Sequence, residues 1–272
     1  MDLPGAISAL SESRDLSGEE MQEVVSIVMR GEATPAQIGA FLTALHIKGE
    51  TVVELVAAAR VMRQFAAVVD VESEKVVDSV GTGGDSAGLF NVSTAAALVA
   101  AAQGSVLAKH GNRAATGNSG SADVLEAAGV NIALTPAQVA ETIDTVGIGF
   151  MFAPIFHPAM KHVAKPRKEM GIRTVFNILG PLTNPAGAKK QMIGIADKSQ
   201  GELLARVLVL LGSEHAMIVH GEDGLDEITI SGKTSVWEIK NKEIHAYEVN
   251  AQELGVKTNS FPNVKYLVLY PS

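Results

Sequence analysis

The sequence contains no cysteine among its 272 residues, and aromatic residues make up only 4% of it. The absence of cysteine excludes disulfide bonds and thiolate metal ligands, and it fits a cytoplasmic protein. No apolar run approaches the roughly 20 residues of a membrane-spanning helix. Charged residues occur early, at Asp2, Glu12, Arg14 and Asp15, which is not typical of a signal peptide. We therefore expect a cytoplasmic protein that has no membrane partner.

Positive charge is also scarce, because 22 Lys and Arg residues face 30 Asp and Glu residues, for a net charge of −8. Nothing in this balance predicts a basic groove for nucleic acid. A small polyanionic ligand would need locally placed cations and backbone N–H groups. The chain is 47% hydrophobic, so it has ample material for a core. Its length favours one large domain with a smaller appendage.

Three consecutive capping boxes predict a helical segment at the start of the chain. In each box a Ser or Thr is followed three residues later by Glu or Gln, as in Ser17 with Glu20, Thr34 with Gln37, and Thr51 with Glu54. Gly31 and Gly49 are expected to end the first two helices. We predict a small helical bundle over residues 1–70, with part of 165–190 as a candidate addition. Its expected role is packing or self-association.

From residue 76 onward, predicted strands alternate with predicted helices. The strands lie near 76–80, 105–109, 148–152, 191–195 and 215–219, and the helices near 93–102, 121–128, 136–145, 158–170 and 200–211. This alternation predicts an α/β domain over residues 71–272, with a mainly parallel central sheet flanked by helices. After Gly232, two alternating segments predict an antiparallel hairpin. Ligands of such sheets bind beyond the carboxyl ends of the strands.

A glycine-rich loop, Gly81–Asp85, follows the first predicted strand. Gly81, Gly83 and Gly84 allow the backbone to approach an anion closely. Asp85 is unsuited to phosphate, and it instead suits a ribose hydroxyl, a metal-bound water or a neighbouring lysine. Taken alone, the loop is better explained as an ordinary turn between a strand and a helix.

Two polar segments follow. Asn91, Ser93 and Thr94 stand at the start of a helix that we expect to be capped by Ser or Thr, where free N–H groups favour phosphate and Ser93 is also a candidate metal ligand. Lys109, at the end of the second strand, suits a phosphate oxygen. We expect a second Ser-capped helix near Ser121.

Three further side chains each allow two interpretations. Asn112 can orient an amine or a carboxylate. His110 is equally well explained as a substrate contact or as a loop imidazole bonded to the backbone. Arg167 lies in a basic helical segment, where it either faces solvent or pairs bidentately with a carboxylate.

Asp226 and Glu227 follow the fifth predicted strand. Adjacent residues on a regular strand point to opposite faces, so both carboxylates reach one site only where the backbone turns. Gly224 and Leu225 favour such a turn, and two carboxylates suit Mg²⁺ carrying a diphosphate. A solvated acidic turn is the alternative.

Together, these motifs resemble the anthranilate phosphoribosyltransferases, which catalyse the second step of tryptophan biosynthesis. The matching segments are Gly81–Asp85, Asn91–Thr94, Lys109–Arg113, Ser119–Asp123, His157–Lys161, Gly171–Thr174, Asn177–Leu182 and Asp226–Glu227. The resemblance implies a helical small domain, a large α/β domain, a cleft at the hinge and a homodimer through the helical part. It also implies a pentosyltransferase that uses Mg²⁺ to move phosphoribose from 5-phosphoribosyl 1-diphosphate (PRPP) to the amine of anthranilate.

The resemblance also implies roles for individual residues, none of which is an acid or base. PRPP would be held by Gly81, Gly84, Asp85, Asn91, Ser93, Thr94, Lys109, Asn112 and Ser121. Anthranilate would contact Gly81, His110, Asn112 and Arg167. Magnesium would bind Ser93, Asp226 and Glu227.

The sequence departs from the family at several places. Leu89 replaces a small hydroxyl residue, and the turn at 115–118 lacks the usual hydroxyl-rich sequence, so we expect a weaker grip on PRPP. Pro166 is shifted relative to Arg167. Family members extend past residue 272, so we expect apolar surface to be exposed and activity to be reduced.

Two other functions remain open at this point. A pyrimidine nucleoside phosphorylase has the same two-domain plan, although a different serine-containing motif is expected where this chain has Lys109–Arg113. A non-catalytic relative that binds nucleic acid would need a basic groove, which the net charge of −8 does not favour.

Overall fold

The computed structural model describes residues 1–84, 89–114 and 119–258. The helices in these ranges are α1 (Leu3–Ser11), α2 (Gly18–Arg30), α3 (Pro35–Lys48), α4 (Val52–Gln64), α5 (Val92–Ala102), α6 (Ser121–Ala127), α7 (Pro136–Val146), α8 (Ala153–Phe156), α9 (Lys161–Met170), α10 (Val175–Leu179) and α11 (Gly201–Leu210). The strands are β1 (Val77–Gly81), β2 (Leu107–Gly111), β3 (Ile148–Phe152), β4 (Lys190–Gly194), β5 (His215–Gly221), β6 (Lys233–Lys240) and β7 (Glu243–Asn250). None of the described helices has the length and apolarity needed to cross a membrane.

The chain divides into two compact units. The helical unit consists of Met1–Val68 together with Pro154–Pro185. The α/β unit consists of Val69–Ala153 and the chain from Ala186 onward.

After α1, the helical unit contains the three capping boxes that the sequence predicts. Ser17 Oγ accepts a hydrogen bond from Glu20 N at 3.2 Å, and the Glu20 carboxylate accepts one from Ser17 N at 2.9 Å. The boxes at Thr34 and Thr51 are formed in the same way. Gly31, in the left-handed conformation with a φ of 74°, ends α2. These helix starts are local, so the sequence predicts them correctly.

The later segment Pro154–Pro185 is part of the helical unit because its apolar side chains are buried there. Val163 and Pro166 are the buried residues of α9, which packs on α2 and α3. Leu179 of α10 is completely buried, and α10 contacts α4. The segment that the sequence placed at 165–190 therefore begins earlier in the structure, at Pro154.

The α/β unit is built on a seven-stranded sheet with the order β3-β2-β1-β4-β5-β6-β7. The first five strands in this order are parallel, whereas β6 and β7 form antiparallel pairs at one edge. Asn241 and Lys242, both with positive φ, form the turn between β6 and β7. The predicted fold class and the predicted hairpin are confirmed, and each predicted strand lies within two residues of the observed one.

The strand order reverses at β1, which lies between β2 and β4. The chain runs from β1 to β2 and β3 on one side, and it then returns to β4 on the other side. In parallel sheets such a reversal leaves a crevice at the carboxyl ends of the strands, where ligands bind. The residues that follow β1, β2 and β4 therefore occupy the position at which a ligand site is expected.

Candidate functional site

The glycine loop leaves β1 beside the end of β4. Gly81 pairs with Gly194 in the parallel ladder, and Thr82 N donates to Gly194 O at 2.9 Å. Gly83 and Gly84 have φ values of 66° and 87°, which are rarely available to other residues. Asp85, the next predicted site residue, lies outside the described residues.

Asp226, the first residue of the acidic pair Asp226–Glu227, lies against this glycine loop. Asp226 Oδ2 accepts a hydrogen bond from Gly83 N at 3.0 Å. A Cβ atom on Gly81 would lie 2.6 Å from Asp226 Oδ2, and one on Gly194 would lie 1.6 Å from the backbone oxygen of Asp226. Glycine at both strand ends therefore makes room for Asp226.

The chain turns before the acidic pair, as two carboxylates in one place require. Gly221 N donates to Leu225 O at 2.9 Å, and Gly224 has a φ of 87°. Asp226 and Glu227 follow in a bend, and both are half-buried. They are therefore not part of a regular strand, in which adjacent side chains would point to opposite faces.

Lys109 of β2 connects the second strand to the start of α5. Its ammonium group donates to Ser79 O and, at 3.2 Å, to Ser93 Oγ. Only 2% of the residue is exposed. This burial lowers the pKa of Lys109, while the carboxylates of Asp78 and Glu227 act in the opposite direction. Three of the predicted site residues, Lys109, Ser93 and Glu227, therefore share one electrostatic environment.

The start of α5 does not have the Ser or Thr cap that the sequence predicts. The cap residue is Asn91, and its side chain makes no capping hydrogen bond. Asn91 Nδ2 instead donates to Ser119 O at 3.0 Å. Thr94 is buried, and its hydroxyl has no hydrogen-bond partner within the described ranges. The cap prediction is wrong because Ser93 and Thr94 lie inside the first helical turn.

The predicted Ser cap of α6 is also wrong, because the cap residue is Gly120. A Cβ atom on Gly120 would lie 2.4 Å from Ala114 N, so the position has no room for a side chain. The Asp123 carboxylate accepts the hydrogen bond from Gly120 N at 2.8 Å. Ser121 is the first residue of α6, beside the end of β2: a Cβ atom on Gly111 would lie 3.2 Å from Ser121 Cβ.

The predicted site residues at the end of β2 and just after it are held by backbone contacts. His110 is buried, and its N–H donates to Asp78 Oδ1 at 3.2 Å. Asn112 O accepts from Ala122 N at 3.2 Å, and Asn112 Oδ1 accepts from Arg113 N at 2.8 Å. His110, the fourth residue of β2, and Asn112, which directly follows β2, therefore both lie at the carboxyl end of this strand, after Lys109. Residues 115–118, where the sequence departs from the family, lie outside the described residues, and Leu89 is half-buried.

Arg167 is in the helical unit, whereas the other described site residues are in the α/β unit. Its guanidinium donates to Asn177 Oδ1 at 3.3 Å and lies 5.5 Å from the centre of the Phe176 ring. Burial lowers its pKa. Lys165, on the same helix, is exposed and pairs with Glu169. Arg167 is thus half-buried, whereas Lys161, Lys165 and Lys168 of the same segment are exposed.

Asp78 was missed by the sequence analysis. It is completely buried in β1, where it accepts from His110 N and favours the charged form of Lys109. The available signal was an acidic residue inside a run of valines, Val76-Val77-Asp78-Ser79-Val80. A carboxylate in a buried strand needs polar partners, so its position predicts a nearby polar network.

The carboxylate oxygen atoms of Asp226 and Glu227 suit a hard cation. Across residues 1–84, 89–114 and 119–258, no group of three or more His, Asp or Glu side chains could hold a metal ion. Asp226 and Glu227 provide two carboxylates, and the room left by Gly81 and Gly194 brings Asp226 to the glycine loop. Such a pair suits Mg²⁺, which usually binds one or two carboxylates together with substrate phosphates.

Comparison with known proteins agrees with this geometry. Residues 73–266 match the family model described as "Glycosyl transferase family, a/b domain", and residues 4–66 match "Glycosyl transferase family, helical bundle domain". The anthranilate phosphoribosyltransferase of Thioalkalivibrio sulfidiphilus is 54% identical over 265 residues, which cover 97% of this chain and 78% of that protein. The chain belongs to the anthranilate phosphoribosyltransferase family. The resemblance seen in the sequence is therefore confirmed.

Two solved structures of anthranilate phosphoribosyltransferases support the same conclusion. The Thermus thermophilus enzyme has a TM-score of 0.90 and 45% identity, and the match covers 96% of this chain and 77% of that one. The Saccharomyces cerevisiae enzyme in complex with PRPP and Mg has a TM-score of 0.88 and 30% identity, covering 96% and 76%. The metal in the yeast anthranilate phosphoribosyltransferase agrees with the Mg²⁺ predicted from the sequence. These relatives favour the phosphoribosyltransferase over both alternative functions.

Proposed function

We propose that this chain performs the family reaction at the carboxyl ends of β1, β2 and β4. In this reaction phosphoribose moves from PRPP to the amine of anthranilate, giving N-(5-phosphoribosyl)anthranilate and diphosphate. The hydrogen bond from Gly83 N to Asp226 Oδ2, at 3.0 Å, carries the proposal. It brings Asp226 of the acidic pair to the glycine loop, as a site for a metal-bound diphosphate requires.

The donor is held by backbone N–H groups, hydroxyl groups and one buried cation. Lys109 supports this role, because a buried ammonium within reach of Ser93 is placed to neutralise phosphate charge. The unpartnered hydroxyl of Thr94, in the part of the chain that the structure describes, is available to a donor oxygen. The full proposed set is Gly81, Gly84, Asp85, Asn91, Ser93, Thr94, Lys109, Asn112 and Ser121.

The proposed metal ligands are Asp226, Glu227 and Ser93. Magnesium bound there would neutralise charge on the diphosphate leaving group. Asp226 supports this role, since its carboxylate lies at the glycine loop in the space that Gly81 leaves open.

The chemistry requires little acid or base catalysis. Breaking the bond at the anomeric carbon gives a sugar with oxocarbenium character and a departing diphosphate. Groups already aimed at the leaving charge lower this barrier because they need no reorganisation. Lys109 and the N–H groups of the glycine loop are the groups of this chain that we assign to that task.

Anthranilate is proposed to contact Gly81, His110, Asn112 and Arg167. Holding its amine in line with the anomeric carbon would provide the remaining acceleration through proximity. Arg167 is assigned to the acceptor carboxylate. Its planar guanidinium suits bidentate binding, and in the helical unit it contacts a neutral amide and a ring.

We further propose a homodimer through the helical unit and a cytoplasmic location. Ile47, near the end of α3, and Val53, near the start of α4, are 79% and 53% exposed. Apolar side chains at neighbouring helix ends support a self-association surface. Light scattering of the purified chain would test the dimer, and a monomer at micromolar concentration would contradict it.

The function is tested by following anthranilate fluorescence in the presence of PRPP and Mg²⁺. We expect a loss of signal that requires both additions. Replacing the acidic pair, Asp226→Asn with Glu227→Gln, should reduce the rate by roughly 10³-fold or more, because leaving-group charge is no longer neutralised.

The matched control is Glu222→Gln with Asp223→Asn, which removes the same charge from the same acidic turn. Asp223 accepts from the Thr229 hydroxyl, and Glu222 accepts from Lys233 N. This control should retain turnover. Unchanged turnover in the Asp226/Glu227 variant would remove these carboxylates from the metal role. Phosphate-dependent cleavage of thymidine or uridine would instead favour the nucleoside phosphorylase.

A further inference from the structure

The two ends of the loop between β2 and α6 are packed directly against each other. A Cβ atom on Gly120 would lie 2.4 Å from Ala114 N, 2.5 Å from the Arg113 carbonyl carbon and 2.6 Å from Asn112 O. Only glycine permits this approach without displacement of the backbone. The contact holds the backbone of Asn112, which precedes residues 115–118, next to Gly120, which follows them. Ser121 is the next residue after Gly120.

A single carboxylate binds both ends of this loop. Asp123 Oδ2 accepts from Ala114 N at 3.0 Å and from Gly120 N at 2.8 Å, and Oδ1 accepts from Arg113 Nη1 at 2.9 Å. These hydrogen bonds lower the pKa of Asp123, and the one from Gly120 N contributes most. Asp123 is therefore charged at neutral pH. A charged acceptor with two backbone N–H donors on one oxygen is a strong local constraint.

Arg113 extends this constraint to the neighbouring elements. Its guanidinium also binds both oxygens of Glu126, at 2.7 and 3.1 Å, and lies 5.5 Å from the centre of the Phe152 ring. Phe152 packs on the cluster of apolar side chains beneath α6. Arg113 is therefore held by two carboxylates and a ring, which makes it part of the loop's support.

We propose that Asp123 is a positioning residue that joins the two ends of this loop and so sets the spacing of Asn112 and Ser121 around the donor. This inference rests on the proposed function, which assigns both residues to PRPP. Asp123 touches neither of them through its side chain in the described contacts. It acts through Ala114 N and Gly120 N, one on each side of the loop.

The test is Asp123→Asn, which keeps the shape of the side chain but lacks the charge and one acceptor oxygen. Initial rates are measured with PRPP varied at saturating anthranilate, and then with anthranilate varied at saturating PRPP. We expect the KM for PRPP to rise by about tenfold or more, because uniform donor binding is lost. The KM for anthranilate should rise less, because Asn112 is assigned to both substrates whereas Ser121 is assigned to PRPP alone, and kcat should stay within about threefold of the wild-type value.

Three further variants make the result specific. Gly120→Ala should raise the KM for PRPP in the same way, because the added Cβ forces the loop ends apart. Asp123→Glu keeps the charge and should raise this KM less than Asp123→Asn. Asp2→Asn is the matched control, since Asp2 Oδ1 accepts one backbone N–H, from Gly5, at a helix start in the helical unit. It should leave both KM values unchanged.

The outcomes separate this inference from the proposed function. Wild-type turnover with an unchanged KM for PRPP in Asp123→Asn or in Gly120→Ala would overturn the inference alone. A general loss, with both KM values and kcat altered to the same extent in every folded loop variant, would also overturn it. A wild-type chain that neither turns over nor binds PRPP by calorimetry would overturn the proposed function and the inference together.

Discussion

The helical unit and the α/β unit use polar residues at helix starts in different ways. In the helical unit, Ser17, Thr34 and Thr51 each cap a helix through a complete capping box. At the site in the α/β unit, Asn91 makes no capping hydrogen bond, and α6 is capped by Gly120. The difference is not one of composition, because α7 of the α/β unit has a complete box at Thr135.

This contrast separates structural polar groups from those available to a ligand. A hydroxyl that already accepts a backbone N–H contributes to stability, and it has less capacity left for a substrate. A buried hydroxyl that lacks a partner costs stability, and such groups concentrate at functional sites. In the described chain the Thr94 hydroxyl is of the second kind, at the start of α5. Substitutions at helix starts of the helical unit should therefore change stability, whereas substitutions at the start of α5 should change the KM for PRPP.

The largest expected effect is on stability, at a capping box of the helical unit. Glu54 is fully buried and accepts from Leu16 N, Thr51 N and the Lys48 ammonium. Glu54→Gln should lower the free energy of unfolding by about 3 kcal/mol, because it leaves a buried cation without one of its carboxylates. Urea unfolding measures this change.

The control is Glu20→Gln, at the same position of the first capping box. Glu20 pairs with Arg14 at the surface, where the ion pair is screened by solvent. The loss should be much smaller than that of Glu54→Gln, because an exposed ion pair contributes little to stability. Equal losses of unfolding free energy in Glu20→Gln and Glu54→Gln would show that burial does not make Glu54 the more stabilising residue.

The next effect is a pH dependence in the helical unit. Burial lowers the pKa of His157 to about 4. The ordinary pKa is about 6.5, so between these values the unfolded state binds more protons than the folded state. The stability contributed by neutral His157 should therefore be fully present above pH 6.5. The free energy of unfolding should fall by roughly 3 kcal/mol as the pH drops towards 4.

Urea unfolding at several pH values checks this slope, and His157→Gln should flatten it. The exposed His245, which lies 3.6 Å from Glu243, provides a control. His245→Gln should keep the wild-type slope. A wild-type slope in His157→Gln would mean that another group causes the pH dependence.

A smaller effect is expected on turnover, at the close approach of β4 to the acidic pair. Gly194→Ala places a Cβ atom where the backbone oxygen of Asp226 lies, at 1.6 Å. Asp226 must move, and a displacement of about 1 Å at a reacting site costs about 100-fold in rate. The fluorescence assay measures this loss.

Gly180→Ala is the matched control, since a Cβ atom there would meet nothing within 4 Å and its φ of −50° is open to alanine. Its turnover should remain within a factor of about two, as for a substitution without new contacts. Full turnover in Gly194→Ala would show that the position of Asp226 does not matter to the reaction.

The smallest effects sharpen the contrast between the units. Thr34→Ala removes a capping hydroxyl and should cost about 1 kcal/mol of stability without changing the KM for PRPP. Thr94→Val replaces a hydroxyl that has no partner in the described structure, so stability should be unchanged or slightly higher. The KM for PRPP should rise in Thr94→Val alone. Reversed effects would remove the distinction between the two helix starts.

Much of the fold and part of the site follow from local sequence signals. The capping boxes at Ser17, Thr34, Thr51 and Thr135 are formed, because each depends on residues only three positions apart. The α/β alternation predicted the parallel strands, since a crossover helix of this length leaves few topologies open. The family motifs identified the glycine loop and the acidic pair.

Other features depend on distant residues and were not predicted. The helix starts at Asn91 and Gly120 were wrongly given Ser or Thr caps, because local pattern cannot reveal how closely another backbone approaches. Asp78 was missed as the partner of His110, since their contact depends on strand pairing. Arg167 was singled out from the sequence, yet its contact with Asn177 follows only from the packing of α9 and α10 in one unit.

The sequence by itself determined the family and the succession of helices and strands, and it predicted the types of residue that we assign to a charged ligand. These depend on short-range periodicity, capping and motif spacing, which the chain carries along its length. Only the tertiary structure decided that Asp226 reaches the amide of Gly83 and that Asp123 joins both ends of one loop. Such contacts are fixed by strand order and by the space that glycine leaves open, and both arise only when the whole unit has folded.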